Sequence, residues 1–281
     1  MIILLTGKPG IGKSTVIEKL IQLNKKPEEP ATWVVTAGIP RPEGGRAGFS
    51  ATNSAGVTRT ISHKTDIPSD VIIGENHVDL VAVDAMFAQA LEGATKPGAL
   101  TILDEIGPIQ LLSPAFTAAL EEVFTGDPDL IATIHYKDEQ LATYRTAARA
   151  VLLEVTLDNR DTLPEVLAAL IINRKKINKL SMHQKAAFFE LLQRYANEAK
   201  LLQVQKLMDN ALKYIHEDRV LQDGPDHWIV GGRHGQYHVT LQGDAYACEC
   251  RLFNGTGPYT GQPGECSHIQ AVSIWASKLE R

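Results

Sequence analysis

Gly7-Lys8-Pro9-Gly10-Ile11-Gly12-Lys13-Ser14-Thr15 fits the pattern GxxxxGK[ST], and the chemistry it implies is phosphate binding. Glycines let the backbone curl until successive N–H groups point into one cavity, and a helix starting there adds the positive end of its dipole. Lys13 would lie along the β- and γ-phosphates of a nucleotide, and the Ser14 hydroxyl would take one position on Mg²⁺. A chance glycine turn is the alternative. Against it stand an apolar strand before the loop, Ile2 to Thr6, and a helical stretch after it, Thr15 to Leu23.

A second group of chemistry-bearing residues lies at the end of the apolar run Ala99 to Glu105. Asp104 at that strand tip would hold the Mg²⁺ water shell, and Glu105 would orient and deprotonate an attacking water. Arg46 stands in the glycine-rich stretch Gly44-Gly45-Arg46-Ala47-Gly48. It reads either as a charge-stabilising finger for the γ-phosphate or as a surface arginine. His135, at the end of a strand over Leu130 to Ile134, is a candidate sensor of that phosphate. Asn159 and Arg160, beyond a strand over Leu152 to Leu157, are candidates for contacting the base. Each of these three is otherwise a polar strand-end residue.

All three cysteines lie near the C-terminal end, in Cys248-Glu249-Cys250 and Cys266-Ser267-His268. Odd in number and too tightly spaced for a disulfide framework, they read with His268 as a Cys₃His set, the closed tetrahedral donor set of structural Zn²⁺. Free buried cysteines and a redox pair are the alternatives. No Asp, Glu or water belongs to the set, so a catalytic zinc is not expected. His227, His234 and His238 read as surface strand residues.

The elements that must position these residues alternate. After the first helix comes a charged turn, Lys25 to Pro30, and a strand over Ala31 to Ala37. Short strands then run near Val57 to Ser62 and Val71 to Gly74, in sequence that suggests a β-hairpin insertion over the nucleotide site. Helices are expected over Asp84 to Ala94, Pro114 to Phe124 with Ser113 as N-cap, and Glu139 to Ala148. Such alternation predicts a parallel sheet with helices on both faces, three layers, and ligands at the carboxyl ends of the strands.

Between Glu165 and Gln222 the pattern is helical, with a capping box at Ser181 and Gln184. Phe188, Leu191, Leu192, Tyr195, Ala199, Leu202, Leu207, Met208, Ala211, Leu212 and Ile215 form its apolar face. Arg174, Lys175, Lys176, Lys179, Lys185, Arg194, Lys200, Lys206 and Lys213 make the other faces basic. Those faces are either solvated or a surface for phosphate backbones. From His227 the period changes to two, and short antiparallel strands deliver Cys248. A loop from Asn254 to Gly264 separates the cysteine pairs, and Arg251 and Glu265 are among the charges around them. A helix over Ile269 to Leu279 closes the chain.

The 281 residues carry a formal charge of −5, so any acidic partner would need a local basic patch. No apolar run is long enough to span a bilayer, and Met1 to Thr6 is too short for a signal sequence. A cytoplasmic location is the expectation.

Thr6 to Thr15, Gly44 to Phe49, Asp104-Glu105-Ile106-Gly107 and Asn159-Arg160-Asp161 resemble the thermophile-type, or cancer-related, nucleoside-triphosphatase family over roughly residues 1–172. The resemblance implies a RecA-like P-loop core that hydrolyses several nucleoside triphosphates to the diphosphate with loose base preference. It also implies nucleotide contacts from Gly7 through Thr15 and from Leu103 through Gly107. Where the family continues with Lys-Met-Glu, this chain has Pro108-Ile109-Gln110, so a basic residue and a carboxylate are missing beside the site. The CxC…CxH spacing resembles the SWIM-type zinc finger, with Ala211 to Asp223 as its helical lead-in, which implies binding to DNA or protein. The expected organisation is therefore a nucleoside-triphosphatase domain over 1–178, a helical connector over 179–222, and an α+β zinc module over 223–281. A P-loop kinase and a nucleotide-gated adaptor with little turnover are the competing readings. Against the kinase, no arginine-rich lid segment is found.

Overall fold

The structure, a computed structural model, describes residues 1–24, 31–147, 150–196, 201–250 and 266–277, with backbone only at 201–204. The expected turn from Lys25 to Pro30, the helix end at Ala148, Ala199, Lys200, the Leu202 side chain, Arg251, the loop from Asn254 to Gly264, Glu265 and Leu279 lie outside the described residues. The chain divides into two compact units, Met1–Ala168 and Ala169–Arg281. The division falls inside the helix Leu163–Lys179.

The first unit is built on one nine-stranded sheet. Its parallel part comprises β1 (Ile2–Thr6), β2 (Thr32–Pro40), β7 (Leu100–Ile106), β8 (Asp129–Ile134) and β9 (Ala150–Glu154), in the order β2-β7-β8-β1-β9. Strands covered on both faces read as continuous apolar runs rather than alternating ones. Accordingly Ile2, Ile3, Leu4 and Leu5 are all buried, as are all six residues of β8. Burying one such side chain contributes about 1.5–3 kcal/mol, so this short strand is a strong anchor for the loop that follows it.

The glycine-rich segment is part of the main sheet. It forms β3 (Arg46–Asn53), β4 (Thr58–His63), β5 (Ile72–Ile73) and β6 (Asn76–Val78), which extend the same sheet antiparallel beyond β2. The physical reason is the length of β2: it runs on to Pro40, and its free edge pairs with β3 from Val34↔Asn53 to Pro40↔Arg46.

The helix expected from Asp84 starts earlier, at α2 (Leu80–Val83), because Asp79 caps it by accepting from Ala82 N at 3.0 Å. It continues through a π-turn, Asp84–Ala88, into α3 (Gln89–Ala94). α4 (Pro114–Thr125) has its N-cap at Ser113, which accepts from Phe116 N at 2.9 Å. The helix expected from Glu139 is a 3₁₀ turn followed by α5 (Ala142–Arg145). Phe87, Phe116, Leu91, Leu120 and Leu103 are fully buried in one core cluster on this face of the sheet.

The second unit continues α6 (Leu163–Lys179) into α7 (Met182–Ala196) and α8 (Leu201–His216). Ser181 and Gln184 form the expected reciprocal cap, Ser181 N to Gln184 Oε1 at 3.0 Å and Gln184 N to Ser181 Oγ at 3.3 Å. Phe188, Leu192 and Tyr195 are buried. Arg174 is not on a solvated face: it is buried and donates to Ile171 O at 3.1 Å.

The helical lead-in expected through Asp223 ends at His216. Asp218 takes a positive φ of 51°, and β10 (Val220–Gly224) begins two residues later, paired with β11 (His227–Gly232). With β12 (Gly235–Gln242) and β13 (Ala245–Cys248) this makes a four-stranded antiparallel sheet. Its apolar face receives α9 (Ser267–Ala276).

Candidate active site and candidate metal centre

The phosphate-loop residues leave β1 through glycines in conformations that other residues rarely adopt. Gly7 has φ 145°, and a Cβ there would sit 2.8 Å from the carbonyl oxygen of Val155. Gly12 has φ 112° and is the N-cap of α1 (Lys13–Leu23); no side chain caps that helix and its first turn holds no acidic residue. Its leading amides are therefore free to meet an anion. Lys13 curls back over the loop, Nζ donating to Gly7 O at 2.9 Å and to Lys8 O at 3.4 Å. Ser14 and Thr15 are exposed at the helix start.

Asp104 and Glu105 end β7, which is separated from β1 by β8 alone. Asp104 is 2% exposed. Its two carboxylate oxygens accept from Thr133 Oγ1 at 2.7 Å and from Thr36 Oγ1 at 3.1 Å, which leaves further lone pairs for an oxygen-preferring cation or its waters. Burial pushes the Glu105 carboxyl above the ordinary carboxylate range. The Asp104 charge adds to that push, and the Lys13 charge partly opposes it. A carboxyl raised this way is a stronger base once ionised, the property wanted for accepting a proton from water. Gly107 approaches the Glu105 side chain closely, with 3.2 Å between a built Cβ and Glu105 Cδ.

The segment after β9 walls the other side of the loop. Asn159 is not placed to read a base: it is 1% exposed, its Oδ1 accepts from Thr156 N at 2.9 Å and its Nδ2 donates to Glu154 O at 2.8 Å. Held by that turn, Arg160 reaches the phosphate loop, Nη1 lying 3.4 Å from Ile11 O and Cδ 3.5 Å from a Cβ built on Gly12. Asp161 pairs with Lys19 of α1 at 3.4 Å.

Arg46 is folded over its own sheet. Its stem lies across Gly38, where a Cβ would meet Cδ and Nε at 2.8 Å, and its guanidinium sits 5.6 Å from the Phe49 ring centroid. Among the described residues no hydrogen bond or ion pair joins it to the phosphate loop. His135 donates its N–H to Ile106 O at 2.9 Å, and its carbonyl accepts from Arg145 Nη1 at 3.0 Å. Its Nδ1 is buried without a hydrogen-bond partner.

Thr36, Thr133 and Arg145 were not foreseen. The signal for Thr133 is a hydroxyl in an otherwise apolar strand, which a buried strand tolerates only with an acceptor nearby.

In the second unit Cys248, Cys250, Cys266 and His268 converge. All four are buried, and their ligand atoms lie within 4.8 Å of one another. β13 delivers Cys248, and Cys266 caps α9, its Sγ accepting from Ile269 N at 3.5 Å. The His268 ring is stacked between Tyr237, centroids 4.2 Å apart, and Tyr214, 5.5 Å apart. Gly232 is required beneath it, since a Cβ there would come within 2.6 Å of Tyr237 Cε2 and 2.7 Å of His268 Nε2. The thiol of Cys248 is pushed up to about 12, first by its hydrogen bond with Cys250. Cys266 is raised in the same direction by Cys248 and Cys250. Sulfurs packed this closely need a cation to ionise together, and the donor set suits Zn²⁺.

A mostly parallel sheet whose first strand feeds a glycine loop and helix, with paired acids two strands away, defines a P-loop NTPase-like α/β protein. The profile of a family described as NTPase matches residues 2–168, and the chain belongs to that NTPase family. It is 38% identical over 165 residues to nucleoside-triphosphatase THEP1 of Methanosarcina acetivorans, covering 58% of this chain and 92% of that protein. To nucleoside-triphosphatase THEP1 of Thermotoga petrophila it is 35% identical over 180 residues, covering 63% of this chain and 97% of the relative. Among solved structures it resembles THEP1 from the hyperthermophile Aquifex aeolicus, with TM-score 0.50 and 27% identity over 61% of this chain and 99% of the other. A human cancer-related nucleoside triphosphatase is similar at TM-score 0.50 and 25% identity, covering 60% and 96%. Among the described residues no helix is long and apolar enough to cross a membrane.

Proposed function

We propose that residues 1–178 carry out Mg²⁺-dependent hydrolysis of nucleoside triphosphates, ATP and also GTP and others, to the diphosphate and phosphate. The observation that carries this reading is the buried Glu105 carboxyl, raised in pKa beside Asp104 and within the field of Lys13. The residues from Gly7 through Thr15 cradle the phosphates, with Leu103 through Gly107 forming the opposite wall. Glu105 accepts a proton from water as the water oxygen attacks the γ-phosphorus, and the bond to the β-phosphate bridging oxygen breaks. Lys13 neutralises charge on the β- and γ-oxygens. Arg46 is the further proposed catalytic residue, and its contribution requires a swing away from Gly38 and Phe49. Bound Mg²⁺, held by the Ser14 hydroxyl and through Asp104, supplies positive charge at the same oxygens. Arg160 contacts the nucleotide, and Asn159 acts by holding Arg160 in place.

The helical connector is shortened to 179–216, since β10 already belongs to the four-stranded sheet from Val220, and the residues that follow serve as a SWIM-type module built on Zn²⁺ at Cys248, Cys250, Cys266 and His268. The module, with exposed Lys175, Lys176, Lys206 and Lys213, docks to nucleic acid or a protein. Phosphate release by the full chain, with and without DNA, RNA and acceptor molecules, tests the assignment. Release dependent on Glu105 supports it; label transferred to an acceptor, or no release under any condition, overturns it.

A further inference from the structure

His227 and His238 are eleven residues apart on adjacent antiparallel strands. In the register His227 faces Thr240 and His238 faces Ile229, so the two imidazoles are diagonal neighbours on the same outward face of the sheet. Trp228, Val230 and Val239, on the other face, are buried. The two rings turn their nitrogens towards each other, His227 Nε2 lying 3.1 Å from His238 Nδ1, with ring centroids 5.1 Å apart and planes 25° from parallel.

Carboxylates flank the pair. Asp223 Oδ2 is 3.3 Å from the other nitrogen of His227, Nδ1, and Glu249 Oε1 accepts from the backbone N–H of His238 at 3.1 Å. A proton on Nδ1 of His227 is the one Asp223 stabilises, and that tautomer leaves the Nε2 lone pair directed at His238.

We propose that His227 Nε2 and His238 Nδ1 form a second, surface metal site for a borderline divalent cation with a preference for imidazole nitrogen, such as Zn²⁺, Ni²⁺ or Cu²⁺. The ion replaces the hydrogen bond between the two rings and sits to one side of the line joining the nitrogens. Their 3.1 Å separation is the bite a common ion needs. With metal–nitrogen bonds of about 2.0–2.1 Å it corresponds to an N–metal–N angle of about 98°, between square-planar and tetrahedral values. Asp223 then plays the part that a carboxylate takes behind a metal-bound histidine, fixing the tautomer and raising the basicity of the ligand. Water fills the remaining positions, so the site is open and exchangeable, unlike the all-protein Cys₃His set.

Calorimetric titration of Zn²⁺ into full-length protein already loaded with one equivalent tests this, with ¹H–¹⁵N correlation of the imidazole nitrogens in parallel. One further equivalent is expected to bind, with Nε2 of His227 and Nδ1 of His238 shifting together. In His238→Gln the further equivalent weakens by at least about tenfold while the first is retained. Asp223→Asn weakens it by about 10–100-fold, the usual cost of losing a supporting partner. Far-UV circular dichroism of each variant confirms that the sheet persists, and the wild-type imidazole shifts stand independently of any variant. The proposal is overturned by imidazole resonances that stay fixed through the second equivalent, or by His238→Gln binding it as tightly as the wild type.

Discussion

Thr133 donates its hydroxyl hydrogen to Asp104 at 2.7 Å, from one buried parallel strand to the next. Because Asp104 is almost wholly out of solvent, its charge relies on that bond and on the longer one from Thr36. Thr133→Val keeps the shape and removes the donor, leaving a buried anion with half its side-chain support. The expected loss is about 1–3 kcal/mol in urea unfolding, together with an altered Mg²⁺ requirement for phosphate release. Unchanged midpoint and Mg²⁺ dependence would make the threonine a spectator.

Glu105 offers two readouts with opposite consequences. Glu105→Gln should lower kcat by about 10²–10⁴-fold while nucleotide affinity, followed by equilibrium binding, changes little. The same substitution should raise Tm at neutral pH. A carboxyl whose folded pKa is raised costs stability above its unfolded value, and that cost fades as the pH falls below it. The Tm advantage of the glutamine form should therefore vanish in acid. In the wild type the acid limb of kcat/KM should lie above the ordinary carboxylate range, since activity needs the ionised form.

Lys13 lies on its own loop, bonded to Gly7 O and Lys8 O; on the proposed mechanism it exchanges those carbonyls for phosphate oxygens. Lys13→Ala should reduce kcat/KM by about 10²–10³-fold, with weakened nucleotide binding, in contrast to Glu105→Gln. Equal loss of binding in both variants would contradict the division of roles.

Gly7 is held at φ 145° with the Val155 carbonyl where a side chain would begin. Gly7→Ala combines an unfavourable backbone with a contact that only a backbone shift relieves, and should cost about 1–3 kcal/mol. Thermal unfolding measures that loss, and nucleotide affinity should fall with it because the shift that relieves the contact displaces the glycine loop from the segment after β9.

Removal of zinc should act on the second unit alone. A zinc-selective chelator with Mg²⁺ kept in excess, or Cys266→Ser, is expected to speed proteolysis within residues 169–281 while nucleotide hydrolysis by the first unit persists. Gly232→Ala should produce a milder version by crowding the Tyr237 and His268 rings. Hydrolysis that disappears with the metal would show the two activities to be linked.

The loop from Gly7 through Thr15, the acidic pair and the Cys₃His set are legible in the sequence because each depends on local spacing and on the element just before it. What was not legible depends on strand order and register. Thr36 and Thr133 reach Asp104 only because β2 and β8 flank β7, and the sequence of a strand does not name its neighbours. The glycine-rich hairpins were visible as hairpins, yet their joining to the free edge of β2 follows from that strand running on to Pro40. Asn159 and Arg160 look alike on paper. One is consumed by its own turn and the other is presented by it, a difference made by two hydrogen bonds between the Asn159 side-chain amide and the backbone of Thr156 and Glu154. His227 and His238 meet through a diagonal of the ladder, and Asp218 ends the last long helix with a single unusual φ.

β8 works as a spacer. Adjacent strands stand about 4.8 Å apart, so one intervening strand holds the tip of β1 about 10 Å from the tip of β7. On the proposed mechanism, that gap is the room between the glycine loop and the acidic pair for the terminal phosphates and their cation.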